Sequence, residues 1–120
     1  MSPFKGQTGL KRILNASGYS LDGLRAAFTG EAAFRQLVLL NVVLIPLTFF
    51  LNVSRVEQAV LIAVCLLALI VELLNSAVEA AIDRISLELH PLSKNAKDMG
   101  SAAQFVVLSM IGLVWAVILL

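Results

Sequence analysis

Three runs without a single charged residue limit what this chain can become. Residues 37–54, "LVLLNVVLIPLTFFLNVS", residues 58–71, "QAVLIAVCLLALIV", and residues 101–120, "SAAQFVVLSMIGLVWAVILL", hold no Asp, Glu, Lys or Arg. The hydrocarbon core of a bilayer takes about 20 apolar residues of helix. Inside it, only helices and closed barrels satisfy their own backbone hydrogen bonds. The sequence therefore predicts transmembrane helices over about 35–53, 57–85 and 96–120. Composition agrees, with 59% hydrophobic and 14% charged residues, where soluble domains hold roughly 45–50% and 25%. The reading is an all-α membrane protein, one domain over residues 1–120, with a kink or tilt at Pro46 in the first span.

A formal net charge of +1 gives no basic character to recommend a nucleic-acid partner. The single cysteine, Cys65, excludes an internal disulfide and sits among leucines and alanines as a packing residue. Lys5, Lys11, Arg12, Arg25 and Arg35 all precede the first long apolar run, which is unlike a secretory signal. These five cations, with Arg84, Lys94 and Lys97 between the second and third spans, outweigh Arg55 alone in the first turn. The positive-inside rule then puts the N-terminus and second loop in the cytoplasm.

Residues 1–34 read as a region of surface helix. In "GLKRILNA", Leu10, Ile13 and Leu14 share one face and Lys11, Arg12 and Asn15 lie elsewhere. "GYS" is expected to break this helix, with Ser20 capping a second one that carries Asp22 in its first turn. Leu21, Leu24 and Phe28 form the apolar face of that second piece. Such a basic amphipathic segment before a span lies in the membrane surface.

The chemistry concentrates in "VELLNSAVEAAIDR", Val71 to Arg84. Glu72, Asn75, Ser76, Glu79 and Asp83 fall at i, i+3, i+4, i+7 and i+11, one stripe of a helix, while Leu73, Leu74, Val78, Ala81 and Ile82 take the other faces. A carboxylate at mid-membrane costs about 2.5–3.5 kcal/mol on insertion scales. Glu72 lies about 10 Å deeper than Glu79 at 1.5 Å per residue. A polar zipper between helices would explain Asn75 and Ser76. Two glutamates on the same stripe point further, to metal binding and proton abstraction. Carboxylates are the hard ligands Mg²⁺ takes, usually together with substrate phosphates.

Two clusters share the cytoplasmic side. "GEAAFRQ" supplies Glu31 before the first span, and "HPLSKNAKDMGS" supplies His90, Lys94, Lys97, Asp98 and Ser101 before the third. Lysines and free backbone N–H groups at a helix start suit phosphate. There is no G-x-x-x-x-G-K-[ST], no G-x-G-x-x-G and no protein-kinase signature. Any nucleotide must be met by carboxylate-held Mg²⁺ and lysines.

The stretches "GYSLDGLRAAF", "EAAFRQ", "VELLNSAVEAAIDR" and "KDMGSA" resemble the small bacterial integral-membrane diacylglycerol kinases, over about residues 8–103. The resemblance implies a surface helix and three transmembrane helices assembled as a homotrimeric bundle in the bacterial inner membrane, with composite active sites on the cytoplasmic side. It implies transfer of the ATP γ-phosphate to a diacylglycerol hydroxyl, giving phosphatidic acid and ADP, with Mg²⁺ as cofactor and a role in membrane lipid recycling. Carried over residue by residue, Glu72 is the general base, Glu31 and Glu79 are the Mg²⁺ ligands, and Asn75, Ser76 and Asp83 support the stripe. Arg12, Tyr19, Glu31, Glu79, Glu88, His90, Lys97 and Asp98 meet the nucleotide. Arg12, Arg25, Phe34, Arg35, Glu72 and Ser101 meet the lipid. Leu37 replaces the acidic residue that follows "FRQ" in relatives, and Leu21 replaces the tryptophan of "YSW". Two other readings compete. "ELHPL" also fits an undecaprenol kinase, and Glu72 alone could serve a small oligomeric channel or proton relay.

Overall fold

The computed structural model describes residues 9–120. Lys5 and the rest of the first eight residues of the expected surface region lie outside it. Four α-helices follow one another: α1 (Gly9–Gly30), α2 (Ala32–Leu47), α3 (Arg55–Ile85) and α4 (Pro91–Leu119). A 3₁₀ turn, Thr48–Phe50, follows α2. No strand occurs among the described residues.

α1 is one helix, not two. Ser20 caps nothing; its hydroxyl donates to the Ala16 carbonyl at 2.9 Å, as Ser17 donates to Ile13 at 3.0 Å. The reason lies in the phase of the pattern. Positions 10, 14, 17, 21, 24 and 28 stay on one face through Gly18, so the helix runs on for the roughly 1 kcal/mol a mid-helix glycine costs. That stripe is uncovered: Leu10, Leu14, Leu21, Leu24 and Phe28 are all exposed. α1 and α2 meet at a 105° bend. Glu31, in extended conformation at the corner, is the N-cap of α2. The Arg35 guanidinium reaches back from α2 to donate to the Phe28 and Thr29 carbonyls at 2.8 and 3.2 Å, closing the end of α1.

α2 is shorter than the expected 35–53. It ends at Leu47, one residue past Pro46, where the chain passes directly into the 3₁₀ turn. The proline sits in the last turn of α2, next to that 3₁₀ turn. Thr48 is buried there and accepts from Gln58 Nε2 at 3.2 Å, which ties the turn to α3. Ser54 and Glu57 form a reciprocal capping box that starts α3.

α3 and α4 are each long and apolar enough to cross a membrane, and α1 with α2 would count as a third span only if the bent pair were one. At 1.5 Å per residue α3 is about 46 Å long, well beyond a 30 Å hydrocarbon core. One end must therefore stand outside it. α4 begins at Pro91, earlier than the expected 96, since proline suits the first helical position. His90 caps it, Nδ1 accepting from the Leu92 N–H at 3.1 Å. α2 and α4 both pack on α3 around Val64, Ala68, Val107 and Ile111, flanked by Leu37, Leu44, Val71 and Trp115. Cys65 is buried and free, as its neighbours suggested. Asn41 crosses this core, its Nδ2 donating to the Cys65 carbonyl at 3.1 Å.

Candidate active site between α3 and α4

The polar stripe of α3 faces α4, and the two antiparallel helices match it rung by rung. At the open end the Lys97 ammonium donates to Asp83 at 2.8 Å. One step deeper, the Asn75 amide sits over Gly100, where a Cβ would overlap its oxygen. Asn75 Nδ2 donates to Glu79 Oε1 at 3.1 Å, aiming that half-buried carboxylate. Deeper still, Glu72 is only 3% exposed. Its Oε1 accepts from Ser76 Oγ at 3.4 Å and its Oε2 accepts from the Gln104 amide of α4. Below that rung the contact turns wholly apolar, with Ala68 and Val64 against Val107 and Ile111.

Glu31 joins this group from the α1–α2 corner. It makes no capping hydrogen bond with its side chain. Its carboxylate and that of Glu79 both lie within electrostatic range of Glu72. Glu31 and Glu79, from two elements, thus both act on Glu72, and the Lys97 ammonium is near enough to act on Glu79.

Beyond the stripe a cleft of about 680 Å³ opens between the end of α3 and the start of α4. Asp83, Glu88, His90, Lys94, Lys97 and Asp98 line it. Its cations are balanced in place: Lys94 pairs with Asp98 at 2.6 Å and Lys97 with Asp83 at 2.8 Å.

Four of the nucleotide-contact candidates, Glu88, His90, Lys97 and Asp98, therefore share one cleft. Arg12 does not reach it, and lines a separate depression on α1 with Ala16 and Ser20. Tyr19 is also on α1, about half exposed. Among the lipid candidates, Arg25 is exposed beside Asp22, and Ser101 is exposed on α4 between Lys97 and Gln104. Phe34 is buried and Arg35 closes α1, so both have structural work within this chain.

Gln104 is absent from the residues singled out by sequence, where residues 102–120 contribute only their lack of charge. The signal was present: Lys97, Ser101 and Gln104 recur at i, i+4 and i+7, the spacing used for α3. Gly100 was likewise invisible as the place where Asn75 fits.

No group of three or more His, Cys, Asp or Glu gathers as a metal cage among the described residues. For Mg²⁺ none is needed, since one or two carboxylates and substrate phosphates are its usual donors. Glu79, aimed by Asn75, and Glu31, uncommitted at its corner, fit that demand.

The family prokaryotic diacylglycerol kinase matches this chain over residues 18–119. A Pseudomonas aeruginosa protein named diacylglycerol kinase is 79% identical over 119 residues, covering 99% of this chain and 97% of its own length. The diacylglycerol kinase of Haemophilus influenzae is 50% identical over 112 residues, covering 93% of this chain and 95% of its own. That of Escherichia coli K12 is 45% identical over 112 residues, at 93% and 92%.

Proposed function

We infer the division of labour in this site from one premise: the chain belongs to the prokaryotic diacylglycerol kinase family and is an ATP-dependent kinase of diacylglycerol. Its substrates are a nucleotide and a lipid. The observation that carries the residue roles is the depth order along one stripe, with Glu72 buried between α3 and α4 and Glu79 two turns nearer the cleft.

A lipid hydroxyl comes from the bilayer, and a nucleotide comes from water. The proton acceptor for the first belongs deep and the phosphate clamp for the second belongs shallow. Glu72 takes the hydroxyl proton as the lipid oxygen attacks the γ-phosphorus. The new O–P bond forms, the bond to the β-phosphate oxygen breaks, and ADP leaves. Phosphoryl transfer asks the protein for alignment and charge neutralisation more than covalent chemistry. Mg²⁺ bound by Glu31 and Glu79 would supply much of that neutralisation. Asn75 holds Glu79 in position. Lys97 and Lys94 can exchange their carboxylate partners Asp83 and Asp98 for phosphate oxygens, while His90 and Glu88 border the same cleft. Arg12, Arg25 and Ser101 are exposed where a lipid headgroup would lie.

Arg12 lines a separate depression on α1 and is not among the residues lining this cleft. That supports a homo-oligomer, a trimer by the resemblance of its sequence, in which α1 of one copy serves the cleft of another. The excess of Lys and Arg in the N-terminal region and the α3–α4 connection supports an inner-membrane protein with this end in the cytoplasm. Relatives named for diacylglycerol do not favour the undecaprenol reading. A channel or relay has no use for a lysine-lined cleft beside the acids.

The test is a coupled ATP assay in lipid–detergent micelles. Glu79→Gln should lower turnover at least ~100-fold at ordinary Mg²⁺ while the oligomer stays folded. Turnover close to the parent's would remove Glu79 from the phosphate clamp.

A further inference from the structure

Gln104 lies outside every motif that carries the family resemblance, and it is the residue of α4 that touches Glu72. Three observations bear on why. First, register: Asp83–Lys97, Asn75–Gly100 and Glu72–Gln104 are successive rungs, so Gln104 meets Glu72 through the same close approach that seats Asn75 on Gly100. Second, valence: Ser76 Oγ occupies one carboxylate oxygen and the Gln104 amide the other, so the carboxylate is held from both helices. Third, surroundings: the next rung is apolar, with Ala68 and Val107 buried at 0% and 4% exposure, so Gln104 is the last polar side chain of the ladder.

A buried carboxylate without donors rotates about its last torsion and loses the hydrogen bonds that favour its charge. The Ser76 contact, at 3.4 Å, is long for O–H···O and holds weakly. The neighbours of Glu72 in electrostatic range are the carboxylates of Glu31 and Glu79, which repel it. Mg²⁺ held by those two carboxylates would offset the repulsion, but it would not fix which oxygen of Glu72 faces the incoming hydroxyl.

We propose that Gln104 is a positioning residue for the kinase reaction: its amide N–H fixes Glu72 Oε2 from α4, leaving Oε1, held only loosely by Ser76, to accept the lipid hydroxyl proton. This rests on Glu72 being the base. It adds that the α3–α4 contact, and not α3 alone, sets the base's geometry.

Four variants test it in the full chain, reconstituted in lipid–detergent micelles with Mg·ATP and diacylglycerol. Gln104→Met keeps the length and removes the donor. Gln104→Glu keeps the shape and presents an acceptor. Gln104→Asn keeps the amide on a shorter arm. Glu72→Gln stands beside them as the control for the parent reading. Hydrogen bonds to charged groups are worth enough that Met should lower kcat by about tenfold to a hundredfold. Glu should lower it at least as far, Asn should recover part of the loss, and KM for Mg·ATP should stay within about twofold throughout. A packing role would give Met the parent's kcat, whereas Glu, a second carboxylate against Glu72, would lower it under either role. Equal kcat in the amide and non-amide variants, whatever its level, overturns the proposal. So does a loss shared equally between kcat and Mg·ATP affinity. If Glu72→Gln keeps its turnover, the base assignment falls instead, and the two failures are told apart.

Discussion

A carboxylate 3% exposed in the apolar middle of a 31-residue helix carries an insertion cost of about 2.5–3.5 kcal/mol, which only function or a strong partner offsets. The partners of Glu72 are neutral: a serine hydroxyl and an amide. Among the described residues no cation pairs with it, in contrast to Asp83 and Asp98 nearer the cleft. Glu72→Gln should therefore abolish phosphate transfer to lipid yet leave Mg·ATP binding near the parent's, because proton acceptance is lost and charge clamping is not. Thermal unfolding in detergent should be unchanged or occur at higher temperature, since a buried charge has gone. Collapse of Mg·ATP binding along with turnover would move Glu72 into the clamp. At this scale the sequence was informative wherever polar residues stood out against apolar ones. The stripe from Glu72 to Asp83 could be read off directly. Gln104 could be placed on a polar stripe of α4 by the same spacing, but its pairing with Glu72 and the role of Gly100 could not, because both depend on which rung of α4 lies opposite which rung of α3, a relation no single-helix periodicity contains.

At the scale of helices, Gly100 sets how closely α3 and α4 approach. The Asn75 side chain occupies the space a Cβ would need, and the same amide aims Glu79. Gly100→Ala gains about 0.5–1 kcal/mol of helix propensity but must turn the Asn75 amide aside. The expected outcome is a fold no less stable than the parent's by thermal unfolding, with the Mg²⁺ concentration for half-maximal activity raised several-fold. A variant that unfolds at much lower temperature with unchanged Mg²⁺ dependence would show that Gly100 serves packing between the helices and not Glu79. The number and order of helices were legible because apolar runs of span length have few alternatives. Their ends were less so. Pro46 falls in the last turn of α2, which ends at Leu47 instead of the expected 53, and Pro91 starts α4 a turn and more early. The early start of α4 follows from proline's missing N–H, which costs nothing in a helix's first turn. The split expected at "GYS" failed because a glycine's local penalty is smaller than the gain from an apolar stripe that stays in phase across it.

For the whole molecule, surface is the telling quantity. A soluble protein of 12.9 kDa exposes about 6,300 Å², and this chain exposes 8708 Å². The excess carries leucines, valines and phenylalanines along every helix, Leu39, Val42, Phe105 and Val117 among them. Lipid, other copies of the chain, or both must cover them. The arrangement of the site says which parts such copies would share. Glu31 and Glu79 both act on Glu72 within one chain, whereas Arg12 on α1 lines a different depression from the cleft at Asp98. Two mixing experiments then have opposite outcomes. Arg12→Ala and Asp98→Ala should each be inactive alone, yet one-to-one mixing of the subunits should restore about a quarter of parental activity in a cyclic oligomer, the fraction of sites joining an intact α1 to an intact cleft. Mixing Glu31→Ala with Glu72→Ala should restore nothing, because every site inherits a defect from its own chain. Activity measured across mixing ratios, with mixed oligomers verified by differently tagged subunits, decides it. Recovery in the second mixture but not the first would mean that the acids are divided between chains and that α1 serves the cleft of its own.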